Sequence, residues 1–164
     1  MSKVYNILFL CTGNSARSIL AEAILNKEGA DRFRAFSAGS FPKGEVHPEA
    51  LRLLGELGFS TEGFRSKSWD EFAADGAPPL DFIFTVCDNA AGEVCPIWPG
   101  QPIAAHWGVA DPAAVEGDED ARRAAFREAF VVLRRRVELL LALPIDKLDR
   151  LAREREMRAI AGTK

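Results

Sequence analysis

Cys11 and Arg17 are separated by five residues in Cys11-Thr12-Gly13-Asn14-Ser15-Ala16-Arg17-Ser18, directly after the apolar run Ile7-Leu8-Phe9-Leu10. A turn there can aim successive backbone N–H groups inward, and the helix start that follows adds positive potential. The segment therefore reads as a trap for a tetrahedral oxyanion. The planar guanidinium of Arg17 can clamp two oxygens, and Gly13 and Asn14 tolerate the unusual backbone angles of such a turn. Thr12, Gly13, Asn14, Ser15, Ala16, Arg17 and Ser18 are the expected anion-binding set. The same field predicts an ionised Cys11, since lowering a thiol from about 8.5 to about 6 leaves it about nine-tenths thiolate at neutral pH. Ser18 could donate a hydrogen bond to that sulfur. The bland alternative is a buried cysteine at a strand end before an ordinary helix. Gly, Asn, Ser and Arg all in loop register argue against it.

Two further cysteines lie in Val86-Cys87-Asp88-Asn89-Ala90-Ala91-Gly92-Glu93-Val94-Cys95-Pro96. An odd count of three argues for chemistry rather than a structural disulfide framework. Between Asp81 and Gly117 there is no Lys or Arg, so a Cys87 thiolate must depend on helix dipoles or on the neighbouring anion loop. Cys87 also has a plain reading as a buried strand-end residue. A metal site of Cys87, Cys95 and His106 is disfavoured, because the cysteine spacing is not the short type zinc prefers. No metal is expected, and His106 reads as structural beside Trp107.

These residues need a scaffold. Val4–Leu10, Phe33–Ser37, Asp81–Val86 and Pro102–His106 read as strands, short and apolar as central parallel strands are. Between them, Ile19, Leu20, Ala23 and Ile24 recur at helical spacing up to Gly29, and Pro48–Leu57 forms a second helix. A short helix is expected near Ser68-Trp69-Asp70. Phe126, Phe130, Leu133, Val137 and Leu140 mark a long helix that Pro144 ends, and Asp146 is expected to cap a final polar one. The Arg134-Arg135-Arg136 run reads as the solvated face of the long helix. Alternation of strand and helix implies an α/β fold, a doubly wound four-stranded parallel sheet with helices on both faces. Right-handed crossovers suggest the order 2-1-3-4. Its topological switch falls between the strands ending at Leu10 and Val86, where ligands of such sheets bind.

The 164 residues fit one domain spanning 1–164, with 144–164 as a C-terminal helical extension. A net charge of −3 gives no bulk attraction to nucleic acid or anionic membrane, so neither is an expected partner. The run Ile7–Leu10 is too short for a signal core, and no stretch approaches the ~20 apolar residues of a membrane span. A cytoplasmic location follows by elimination.

The segment Phe9–Ser18 resembles the active-site loop shared by low-molecular-weight protein tyrosine phosphatases and the arsenate reductases of the same fold. The resemblance continues in Phe36-Ser37-Ala38-Gly39-Ser40, His47-Pro48-Glu49-Ala50, Val86-Cys87-Asp88-Asn89-Ala90, Cys95-Pro96, His106-Trp107-Gly108 and Asp111-Pro112, up to about residue 143. It implies Cys11 as nucleophile and Asp111 as general acid, although Asp-Pro is also a common turn pair. Ala113-Ala114 follows where phosphotyrosine phosphatases of the family usually carry aromatic residues. The reductases carry a cysteine pair comparable to Cys87 and Cys95.

The resemblance thus favours reduction of arsenate to arsenite through a Cys11/Cys87/Cys95 disulfide relay, with phosphate or sulfate as competing oxyanions. Phosphomonoester hydrolysis is the alternative, and a non-catalytic oxyanion-binding or redox-sensing protein a third. If 87–95 were helical, the two Cα atoms would lie about 12 Å apart, whereas a disulfide needs roughly 4.4 to 6.8 Å. That segment would have to unwind or fold over, and Gly92 and Pro96 weaken a helix there.

No bound cofactor is implied, only an external thiol reductant: thioredoxin is favoured, and a glutathione–glutaredoxin route stays open. The Cys87–Cys95 spacing is one residue longer than in typical relatives, and Ala16 stands where some thioredoxin-linked relatives have a cysteine. Potassium-binding relatives use residues matching Asn14, Glu22 and Ser37, while their aspartate aligns with Lys67. The Lys67 ammonium is therefore expected to replace the ion and support the loop, the alternative being a solvated lysine between Ser66 and Ser68.

Overall fold

The computed structural model describes residues 3–87, 98 and 100–162. The strands are β1 (Tyr5–Leu10), β2 (Phe33–Ala38), β3 (Phe82–Thr85) and β4 (Ile103–His106), all parallel, in the order β2-β1-β3-β4. The predicted order and strand direction hold. Leu10 is in register with both Ala38 and Thr85, and Thr85 with His106. All four strands therefore finish at one level, and the residues after them share one edge.

Alternation along the strands decides which helices each face meets. Ile7, Phe9, Phe33, Phe82 and Phe84 face a large core. It is closed by α1 (Arg17–Glu28), α2 (Pro48–Glu56), α4 (Glu119–Leu141) and α5 (Arg150–Ala161). Leu8, Leu10, Ala38 and Ile83 face a smaller cluster with Phe72 of the short α3 (Asp70–Ala73). Helices cover both faces, unequally.

Three local expectations change. The final helix starts at Arg150, capped by Asp149, whose side chain accepts from the Ala152 N–H at 2.8 Å. Ile145 is fully buried, so the chain makes a 3-10 turn over Ile145–Lys147 before that helix begins. Asp146 instead accepts from the Tyr5 hydroxyl. Arg136 is not on a solvated face: it is 4% exposed and donates to the carbonyls of Trp107 (2.7 Å) and Gly108 (3.0 Å). Burying a guanidinium is tolerable because those carbonyls satisfy it. Gly13 does not take positive φ; Asn14 does, at 43°. A Cβ on Gly13 would lie 3.2 Å from Lys43 Cε, so the missing side chain makes room for Lys43. Among the described residues no helix is long and apolar enough to cross a membrane.

Candidate active site

The ladder runs on past the strand ends. Cys11 N–H donates to Ala38 O, Val86 N–H to Leu10 O and Val109 N–H to Val86 O. Cys11 and Cys87 are thus held side by side by the two strands that flank the switch.

Between Cys11 and α1 the loop is anchored from outside through its carbonyls. Thr12 O accepts from Phe41 N–H (3.0 Å), Gly13 O from Lys43 N–H (3.0 Å) and the Ser66 hydroxyl (3.1 Å), and Ser15 O from His47 N–H (2.8 Å). Of the loop amides, Asn14 N–H turns back to Cys11 O at 3.1 Å and closes the turn. Ala16, at the α1 N-cap, makes no side-chain capping bond, so the helix start keeps its positive end toward the cleft that Ala16 and Arg17 line. Asn14, fully buried, donates from Nδ2 to Ser18 Oγ (2.8 Å) and accepts the Lys67 N–H at Oδ1 (2.8 Å). The Ser18 oxygen, engaged as that acceptor, keeps its own O–H to donate. Gly39 presses on the loop from behind: a Cβ there would fall 2.3 Å from Thr12 O and 2.5 Å from Cys11 O.

Cys11, Thr12, Gly13, Ser15, Ala16 and Arg17 line a cleft of about 240 Å³ with Phe41, Lys43, Cys87, Asp111 and Ala113. Arg17 Nη1 donates to Val109 O at 2.8 Å, and Nη2 lies 3.7 Å from Asp111 Oδ2. Asp111 Oδ1 accepts from Ala113 N–H at 2.9 Å. One carboxylate is therefore both the turn residue of an Asp-Pro pair and a wall of the cleft. Cys87 Sγ accepts from Thr12 N–H at 3.3 Å, so the anion loop itself supplies the donor that a segment without Lys or Arg lacks.

The proton on Cys11 is where expectation and structure part. The Cys11 thiol is pushed up, not down. Its hydrogen bond with the Cys87 thiol is the largest cause, followed by burial, while Arg17 and the Gly13 N–H pull the other way. Two sulfurs in contact resist carrying two negative charges, and the loop's field does not overcome that.

Behind the loop, Ser37 donates to Glu22 at 2.5 Å, and Lys67 Nζ lies 3.5 Å from Ser37 Oγ and 3.0 Å from Arg65 O. Lys67 is 8% exposed, which excludes the solvated alternative. Burial pushes Lys67 down and Glu22 up, and each charge partly restores the other. His106 Nδ1 pairs with Thr85 Oγ1 at 2.7 Å at the end of the sheet. Cys95, and the expected rearrangement of residues 88–95, lie outside the described residues. Phe41, Lys43 and the Val109 carbonyl were missed in the sequence, because their roles come from loops that cross the cleft. The Ser-Ala-Gly-Ser-Phe-Pro-Lys stretch offered no periodic signal.

A cysteine–arginine anion loop at the switch of a 2-1-3-4 parallel sheet is the arrangement of low-molecular-weight phosphatase-like proteins. The chain belongs to the low molecular weight phosphotyrosine protein phosphatase family, which it matches over residues 6–156. It is 36% identical over 132 residues to an arsenate reductase of Halalkalibacterium halodurans, covering 80% of this chain and 91% of that one. With an arsenate reductase of Bacillus subtilis it shares 35% identity over 121 residues, 74% and 84% of the two chains. Among solved structures, an arsenate reductase in a phosphate-binding state superposes with a TM-score of 0.66 at 27% identity, over 85% of this chain and 98% of that one. A thioredoxin-dependent arsenate reductase of Corynebacterium glutamicum gives 0.61 at 25% identity, over 89% and 65%.

Proposed function

We propose that this protein reduces arsenate to arsenite. The observation that carries the reading is the second thiol, Cys87, which lines the same anion cleft as Cys11 and accepts the Thr12 N–H of the anion loop at 3.3 Å. Ester hydrolysis has no use for it. Family membership and the arsenate reductases among the relatives support the same reading.

Cys11 supplies the nucleophilic sulfur of the first step, its proton passing to the departing oxygen. Attack by its sulfur on hydrogenarsenate forms an S–As bond and expels hydroxide, which takes the thiol proton and leaves as water. Asp111, facing Arg17, is the group to relay that proton, while Arg17 and the loop N–H groups hold the remaining oxygens. Cys87 then attacks the Cys11 sulfur. The S–As bond pair stays on arsenic, which falls from As(V) to As(III) and departs as arsenite, leaving a Cys11–Cys87 disulfide. Attack of Cys95 on Cys87 would free Cys11 and form a Cys87–Cys95 disulfide, which two electrons from an external dithiol return to thiols. Thioredoxin is our favoured reductant and glutaredoxin with glutathione the other; one solved relative is thioredoxin-dependent. Asn14, Glu22, Ser37 and Lys67 are read as support for the loop, with the Lys67 ammonium in place of an ion. Clear activation by potassium but not sodium would argue against that. We take residues 1–164 as one domain acting in the cytoplasm, where its thiols stay reduced.

Arsenate-dependent NADPH oxidation with thioredoxin and thioredoxin reductase tests the function. Turnover that is lost in both Cys11→Ser and Cys87→Ser supports it, and no turnover with any thiol system rejects it. One observation favours phosphomonoester hydrolysis as a second reading. Phe41, 73% exposed on the cleft rim, offers the flat aromatic wall that Ala113 and Ala114 do not. Efficient aryl-phosphate hydrolysis untouched by Cys87→Ser would establish it.

A further inference from the structure

The cleft lining contains two cations, Arg17 and Lys43, and their situations differ. The Arg17 head is held by Val109 O and faces the Asp111 carboxylate, which offsets part of its charge. On the Cys87–Asp111 side no other cation is near in sequence, because residues 81–117 contain no Lys or Arg. Lys43 enters the lining from the segment that follows β2. Its backbone N–H is tied to Gly13 O, and the Phe41 N–H to Thr12 O, so this short extended stretch is laid along the anion loop. The lysine stem crosses the face of Gly13: a Cβ built there would meet Lys43 Cε at 3.2 Å, Cγ at 3.4 Å and Cδ at 3.5 Å. The stem thus lies against the anion loop, and the side chain shares the cleft lining with Cys11. Its field also reaches His47, whose proton affinity it helps to lower.

We infer that Lys43 is an oxyanion-recruiting residue. It raises the affinity of the cleft for doubly charged tetrahedral anions, hydrogenarsenate and hydrogenphosphate, by compensating for Asp111. This rests on the cleft being an oxyanion site, as in the function proposed above. An exposed ammonium near a dianion interacts through high dielectric and is screened by salt, so the effect is modest and ionic-strength dependent.

Inorganic phosphate binding to the full chain, measured by titration calorimetry at low and high salt, tests this without any turnover. Lys43→Met is expected to weaken binding about fivefold at low salt, with the difference shrinking at high salt. Lys43→Arg should retain it. In the arsenate assay the same Lys43→Met change should raise KM with kcat little altered. Equal phosphate affinity of wild type and Lys43→Met at low salt would overturn the inference. So would a salt-independent loss shared by Lys43→Arg, which would mark a packing role. Lys43-dependent phosphate binding in a protein that fails to reduce arsenate would leave this inference standing and reject the proposed reaction.

Discussion

At the scale of single residues, the two sulfurs decide the chemistry. That Cys11 shares a cleft with an arginine could be read from its loop; that its side chain is buried at the strand end could not. The strand order read from the sequence already places Cys87 beside Cys11, after the two strands that flank the switch; what the sequence could not show is the effect of that neighbour on the Cys11 proton. The Cys87 thiol, then burial, pushes the Cys11 thiol up against the pull of Arg17. Removing the second sulfur with Cys87→Ala should therefore lower the pH at which Cys11 ionises, followed by ultraviolet thiolate absorbance or by the pH dependence of alkylation. An unchanged or raised titration in that variant would mean that burial, not the neighbouring thiol, holds the Cys11 proton. Lys43 belongs to the same scale. Nothing in its sequence context marks it, and its place depends on the absent side chain of Gly13.

At the scale of elements, the anion loop holds its shape because neighbouring segments press on it. The end of β2 passes so close that only glycine fits at position 39. Gly39→Ala should displace the loop and abolish measurable phosphate binding, whereas retention of wild-type affinity would show that the loop yields. The start of α2 is joined to the loop through the bond from His47 N–H to Ser15 O, while His47 Nδ1 accepts the Glu49 N–H at 3.1 Å as the helix cap. Only a neutral ring can accept there. Burial, then Lys43, lowers the His47 value in the folded state. The cap is thus fully present above the unfolded histidine value of about 6.5 and is lost as pH falls through the lower folded value. A lost cap costs about 0.5–2 kcal/mol. In His47→Asn, whose oxygen can cap at any of these pH values, urea midpoints should fall less on acidification below about pH 6.5 than in wild type. Parallel losses in the two proteins would place the acid sensitivity elsewhere. The strands and their order were readable from short apolar runs and handedness. The start of α5 was not, because Asp146 and Asp149 are both good caps and the burial of Ile145 chooses between them.

At the scale of the whole molecule, the last helix is tied to the site through the core. Trp107 is buried, stacks on Phe84 with ring centres 3.8 Å apart, and donates from Nε1 to Met157 O at 2.9 Å. The next residues carry Gly108 and Val109, whose carbonyls meet Arg136 and Arg17. Met157, fully buried, is thus one step from the wall of the cleft. Met157→Ala should destabilise the fold by about 2–5 kcal/mol in urea unfolding; a loss below about 1 kcal/mol would mean that α5 is an appendage. The sequence assigned residues 144–164 no chemistry; in the structure Ile145, Met157 and Ile160 pack into the main core. Whether Cys87 passes the oxidation on is the central question. Cys95→Ser protein, exposed to arsenate without reductant and quenched in acid, can be digested and its disulfides mapped by mass spectrometry. A Cys11–Cys87 crosslink formed in step with released arsenite is the predicted result. Arsenite release with Cys87 still alkylatable would contradict it.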